Sequence, residues 1–182
     1  MDIDNILECL KTSIRDVYKK EKDYFTPIRG RERDIVFRIA HILANKIEKN
    51  RENTEHIFVD IEANRCNECI KTNIQGEKIV PDLIIHVRNG TSYVVAEFKC
   101  SARDETEDKK KLKDMTTVEK SREQEDSKCP HYDLGVFIHL MDEEVEYTLF
   151  ENGKETKTGS GILWDSKTFK WNPEKIIERR IK

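Results

Sequence analysis

The chain lacks any long apolar run. Its longest stretches, such as Leu134 to Met141, fall far short of the roughly 20 residues a membrane helix needs. The opening Met1-Asp2-Ile3-Asp4 carries acid and has no basic region followed by an apolar one, so no secretory signal and a cytoplasmic location are expected. Glycine and proline are scarce, at seven and four, which excludes collagen-like and Pro/Gly-rich disordered chains. The five cysteines are odd in number, which fits reduced thiols better than a disulfide framework. Neither sign of charge dominates. With 33 basic and 36 acidic residues the formal net charge is −3, so any affinity for nucleic acid must reside in local patches.

What the chain does have is charge. Asp, Glu, Lys and Arg make up 38% of its 182 residues, against about 25% in an average domain, and the length suits one well-solvated domain. Residues 1–20 carry Ile3, Ile6, Leu7, Leu10, Ile14 and Val17 at spacings of three and four, the pattern of an amphipathic helix. Pro27 and Gly30 mark a connector. A second helix is predicted from about Arg31 to Asn50, with Ile35, Val36, Ile39, Leu43 and Ile47 on its apolar stripe. Strands are expected at Ile57–Ile61, Ile79–Val87, Ser92–Lys99, Leu134–Leu140 and Glu144–Phe150, with residues 63–78 as a loop. Residues 104–125 read as a solvated helix resting on the sheet by Leu112, Met115 and Val118. Ile162 to Trp171 reads as a short hairpin, and Pro173 as the start of a final helix ending in Arg179, Arg180 and Lys182. The order implies an α/β or α+β fold with a mixed sheet and helices packed on it.

The pair of strands around Asn89-Gly90 carries the chemistry. Asn-Gly between apolar runs is a strong hairpin signal. With those two residues as the turn, Arg88 faces Thr91 and, counting back, Asp82 lies directly across from Glu97, while His86 opposes Tyr93. Opposed like charges are destabilising, so two carboxylates placed this way require a compensating cation. Side chains alternate along a strand, which puts Lys99 on the face of Glu97 and turns Phe98, Ala96 and Val94 to the other. A hard divalent cation such as Mg²⁺, with Mn²⁺ as its substitute, suits one or two carboxylates plus water and phosphate oxygens. Asp82 and Glu97 would hold it, the Phe98 carbonyl would add an oxygen, and Lys99 would orient or help deprotonate an attacking water and stabilise phosphate charge.

At these residues the chain resembles the PD-(D/E)xK nuclease superfamily. Pro81-Asp82 is followed, after fourteen residues, by Glu97-Phe98-Lys99. Members commonly carry a Glu on the helix before the first strand, the place of Glu32. More closely the chain is similar to small stand-alone bacterial members, through Asp60-Ile61-Glu62-Ala63-Asn64-Arg65, Lys111-Leu112-Lys113-Asp114 and Tyr132-Asp133-Leu134-Gly135. Ala63 departs from the aromatic usual there, and Cys66 and Cys69 follow Arg65.

The resemblance spans residues 30–140 and implies a restriction-endonuclease-like core of helix, three strands, helix, strand, within a single domain over 1–182. An extra N-terminal helix (1–25) and a C-terminal extension with further strands (141–182) would flank it. It implies Mg²⁺-dependent hydrolysis of nucleic-acid phosphodiesters. Glu32 would be a catalytic, metal or supporting residue, and Asp60, Glu62, Asn64 and Arg65 would shape the substrate edge. The implied partner is nucleic acid, DNA ahead of RNA, with a homodimer suited to cutting two strands and no role for a membrane. The alternative is a catalytically silent nucleic-acid- or protein-binding module on the same fold.

Weaker signals read differently. A zinc site at Cys66 and Cys69 would need Cys100, Cys129 or His131, and the usual second close pair is missing. Arg29, Arg31 and Arg33, and Lys109, Lys110, Lys111 and Lys113, are candidates for phosphate contact or for solvated helix faces. His86 reads as a satisfied sheet residue, and Trp164 and Trp171 as packing residues.

Overall fold

A computed structural model describes residues 2–25, 32–50, 56–63, 65–66, 69–70, 78–87, 92–100, 104–118, 131–141, 144–162 and 177–180. Helix α1 (Ile3–Phe25) buries Ile6, Leu10, Ile14 and Val17, and helix α2 (Glu32–Lys49) buries Ile35, Val36, Ile39, Leu43 and Ile47. The two stripes fuse into one cluster, because helices with one apolar side must shed it against each other and a sheet. An ion pair between Asp16 and Lys46 at 2.8 Å ties the helices at their rim.

The strands are β1 (Ile57–Ile61), β2 (Arg65–Cys66), β3 (Cys69–Ile70), β4 (Leu83–Val87) and β5 (Ser92–Lys99). After helix α3 (Thr106–Thr116) come β6 (Leu134–Leu140), β7 (Glu144–Glu151), β8 (Lys154–Ile162) and β9 (Ile177–Arg180). Seven form one sheet in the order β1-β4-β5-β6-β7-β8-β9, and β2 and β3 make a separate small ladder. Among the described residues only β5 and β6 pair in parallel, which is why a helix intervenes between them: parallel neighbours need a crossover. The fold is mixed α/β. Alternation along the strands sends Val94, Ala96, Phe98, Leu83, Ile85, Val136 and Ile138 to the α1/α2 side. Ile84, Val95 and Phe137 go to the α3 side, with Leu112, Met115, Tyr132 and Phe150.

Several expectations are corrected. The loop at 63–78 contains the β2–β3 ladder. Strand β4 begins at Leu83 rather than Ile79, since Pro81 has no N–H to give a ladder, although Ile79 is buried. Helix α3 ends at Thr116, and Val118, expected on its apolar edge, is 60% exposed beyond it while Thr116 is buried instead. Strand β8 has few apolar residues to announce it. Its turn from β7 is nevertheless written as Asn152-Gly153, both at positive φ (50° and 71°), as a tight hairpin requires. The expected final helix is replaced over Ile177–Arg180 by β9, which pairs with β8. Ladder bonds along that otherwise open edge outweigh the helix-start signal of Pro173. The turn at Asn89-Gly90, residues 163–171 of the hairpin expected from Ile162 to Trp171, Arg29, Arg31, Asn64 and Cys129 lie outside the described residues. No helix among the described residues is long and apolar enough to cross a membrane.

Helix α3 approaches β6 closely at Gly135. A Cβ there would sit 3.1 Å from Thr116 Cγ2, 3.2 Å from Phe150 Cβ and 3.4 Å from Leu112 Cβ. The Tyr132 N–H donates to the Met115 carbonyl at 3.0 Å and pins the end of α3 to the entry of β6. Gly135→Ala is therefore expected to lower stability by about 1–3 kcal/mol through overpacking. Denaturant unfolding measures it, and an unchanged midpoint would mean that α3 sits further from β6 than described.

Candidate functional site

The hairpin register holds where it matters. Leu83 faces Ala96, Ile84 faces Val95 and Ile85 faces Val94, the pairing a two-residue turn dictates. Asp82 directly precedes β4, and its carboxyl lies near enough to Glu97 to repel its charge. Below Ile85 the register shifts, so His86 faces Ser92 and not Tyr93. A bulge absorbs the extra residue close to the turn and leaves the acidic end in phase. Glu97 and Lys99 alternate with Phe98, whose ring is buried against the α1/α2 side, so both project toward α3.

Each acid has a distinct support. Asp82 Oδ2 accepts a hydrogen bond from the Phe98 backbone N–H at 2.8 Å, across the hairpin. Glu32, in the first turn of α2, accepts from the Cys100 N–H at 3.0 Å through Oε2, which ties that helix start to the end of β5. Glu97 is 2% exposed, the most deeply buried of these acids. Lys111 Nζ stands 2.9 Å from its Oε1, an ion pair that opposes the cost of burying the carboxyl. Lys99 Nζ donates to Asp108 Oδ2 at 2.7 Å, and Asp108 Oδ1 lies 3.8 Å from Lys111.

The charges act strongly on one another. Burial, then the neighbouring Asp82, push the Glu97 carboxyl up to about 8, against the pull of Lys111. Burial also raises Asp82, opposed by the Phe98 N–H and Lys111, with Glu32 and Asp108 adding repulsion. The hydrogen bond to Asp108 raises Lys99 despite desolvation, so at neutral pH it is an ammonium. It can orient water and meet anionic oxygen, but it has no lone pair with which to take a proton. Burial with nearby Glu32 and Asp82 pushes the Cys100 thiol up to about 12, which keeps it protonated beside those acids.

Helix α3 supplies what the sequence reading did not assign. Asp108, Lys111, Leu112 and Met115 are spaced as one helical face, so the apolar stripe that seats α3 aims its charged end at β5. His139 is a further omission. It faces Lys99 across the parallel β5–β6 pair, and its Nδ1 lies 3.0 Å from Glu105 Oε1. Alternation from buried Phe137 was the available signal.

Other expected residues go elsewhere. Asp60 pairs with His86 at 2.9 Å, consistent with His86 as a satisfied sheet residue, and Glu62 pairs with exposed Arg33 at 2.7 Å. The Glu62 N–H reaches the Asp82 carbonyl at 3.1 Å, so that segment touches the site by its backbone. Arg65 lies in β2. Lys109 is 2.8 Å from Glu105 and Lys111 is on Glu97, so these two serve internal pairs rather than an open basic track.

Among the described residues no group of three or more His, Cys, Asp or Glu converges as a metal cage. Two carboxylates suffice for Mg²⁺ when water and phosphate complete the shell. The buried Glu97 carboxyl, with the half-buried Asp82 carboxyl acting on it, fits that demand in its oxygen donors. Comparison with protein-family models, with curated proteins and with solved structures gives no match.

A pH test follows from Glu97. Unfolded, it loses its proton near the ordinary 4.5; folded, near 8. The folded state binds more protons between those values, so without divalent metal its stability falls as pH rises through that window. The loss from pH 5 to pH 8 in EDTA should be on the order of a few kcal/mol, and Glu97→Gln should remove most of it. Parallel pH profiles for the two proteins would contradict the burial of an ionisable Glu97.

Proposed function

We propose that this chain is a metal-dependent nuclease with a restriction-endonuclease-like core, hydrolysing nucleic-acid phosphodiesters with Mg²⁺, or Mn²⁺ in its place. The observation that carries the reading is the buried Glu97 carboxyl on β5 with the Asp82 carboxyl, just ahead of β4, close enough to repel its charge. Adjacent carboxyls in a buried site pay a desolvation penalty that repulsion increases, and the cost is relieved by a retained proton or by a cation, which a divalent ion would supply to both at once.

In this reading Asp82 and Glu97 hold the cation, with the Phe98 carbonyl as a third oxygen. The bound ion would lower the pKa of water and polarise the phosphoryl group. Lys99, fixed by Asp108, donates hydrogen bonds to the attacking water and to the phosphate oxygen on which charge accumulates. Glu32 is a positioning residue: its bond to the Cys100 N–H sets the end of β5 and thereby the direction of Lys99. Asp60 and Glu62 bound the site through β1 and the Asp82 carbonyl.

One observation favours the silent-module reading. The cations are already matched, Lys111 with Glu97 and Lys99 with Asp108, so the charge lattice is closed as it stands. A cleavage assay on mixed DNA and RNA substrates with Mg²⁺ or Mn²⁺ separates the two. The enzyme should cut, and Lys99→Ala should lose about a hundredfold or more in rate. Equal activity in both proteins, or none in either, decides for the module.

A further inference from the structure

We infer that Lys111 is a resident counter-ion that a divalent cation displaces from Glu97, and that Asp108 is where the displaced ammonium goes. The inference rests on the metal reading above and adds to it a charge exchange built into α3. Lys111 Nζ stands 2.9 Å from Glu97 Oε1 and favours the charged form of that carboxyl against the cost of burying it. A divalent ion ligated by that oxygen would meet a like charge within about 4 Å, a strongly unfavourable contact in a site this buried.

The helix offers a way out. Asp108 is one turn back from Lys111 on the same face, and its Oδ1 is already 3.8 Å from the ammonium. A small change of side-chain torsion turns that distant pair into a direct one, with no movement of α3. Asp108 also holds Lys99 through its other oxygen at 2.7 Å. It therefore has one oxygen for each lysine when the metal arrives. An empty site keeps its buried acid neutralised, and a loaded one keeps its lysines beside the place a phosphate would enter.

The test is Mn²⁺ alone, titrated calorimetrically into the full chain at fixed pH. Lys111→Met, with Lys111→Gln as a second neutral variant, should bind Mn²⁺ about tenfold more tightly than the wild type, because the competing charge is gone. Lys111→Arg should stay near wild type. Asp108→Asn should bind more weakly, since the ammonium has nowhere to go, but should have little effect in the Lys111→Met background. That non-additivity separates an exchange from a simple loss of negative charge, which would weaken binding equally in both backgrounds. Equal Mn²⁺ affinity in wild type and both neutral Lys111 variants, or additive effects, overturns the exchange while leaving the metal site in place. No Mn²⁺ binding by any of these proteins overturns both.

Discussion

The structure depends on one costly placement, a glutamate carboxyl carried into the middle of a sheet. Glu97 sits between Val95 and Lys99 on the α3 side, with the Phe98 ring buried behind it. An unpaired charge in such a place would cost several kcal/mol, a sizeable part of what a domain of this size has to spare. The surroundings are arranged to limit that cost. Asp82 is held by a backbone N–H rather than by a side chain, Glu32 closes the end of the strand, and a lysine is brought in from the opposite layer. The large apolar cluster beneath, contributed by α1, α2 and five strands, makes such an arrangement sustainable.

Helix α3 shows how the two layers are joined. It is too polar to dock by burial, with only Leu112, Met115 and Thr116 turned inward. Its register on the sheet is set by charge and shape together. Glu105 meets His139, Asp108 meets Lys99, and Lys111 meets Glu97, while the Lys109 ammonium lies 5.0 Å from the centroid of the Phe137 ring. At the other end Gly135 admits the close approach, and Thr116 Oγ1 accepts from the Gly153 N–H at 3.3 Å. A helix held this way is positioned by the site it covers.

How much of this was legible in the sequence follows from the range of each interaction. The α1 and α2 stripes and the alternation of β5 and β6 are local patterns, and they place the core on the correct faces. The nearness of Asp82 to Glu97 was expected from a two-residue turn. Yet the pair next to the turn is out of that register, and the irregularity between Ile85 and His86 is what puts the pairs from Ile85 to Leu83 back into it. Asp108, Glu105 and His139 were not, because their roles exist only once α3 is laid across β5 and β6. Lys111 was noticed as one lysine in a run, and the run itself misled: sequence shows the charge but not the acid waiting on another strand. Strands β8 and β9 escaped for a related reason, since their pairing with neighbours, not apolar content, makes them strands.

The state of Lys99 narrows the chemistry further than the motif alone. A lysine near an acid pair is compatible with a base or with an electrostatic role, and the sequence left both open. Its hydrogen bond to Asp108 favours the charged form, which removes the base role while that bond persists. What remains is an oriented cation with donors to offer, suited to a substrate that arrives bearing negative charge and gains more in the transition state. The same argument gives Asp108 its weight. Without it Lys99 would lose the hydrogen bond that fixes its direction and would answer instead to the charges of Glu32 and Asp82.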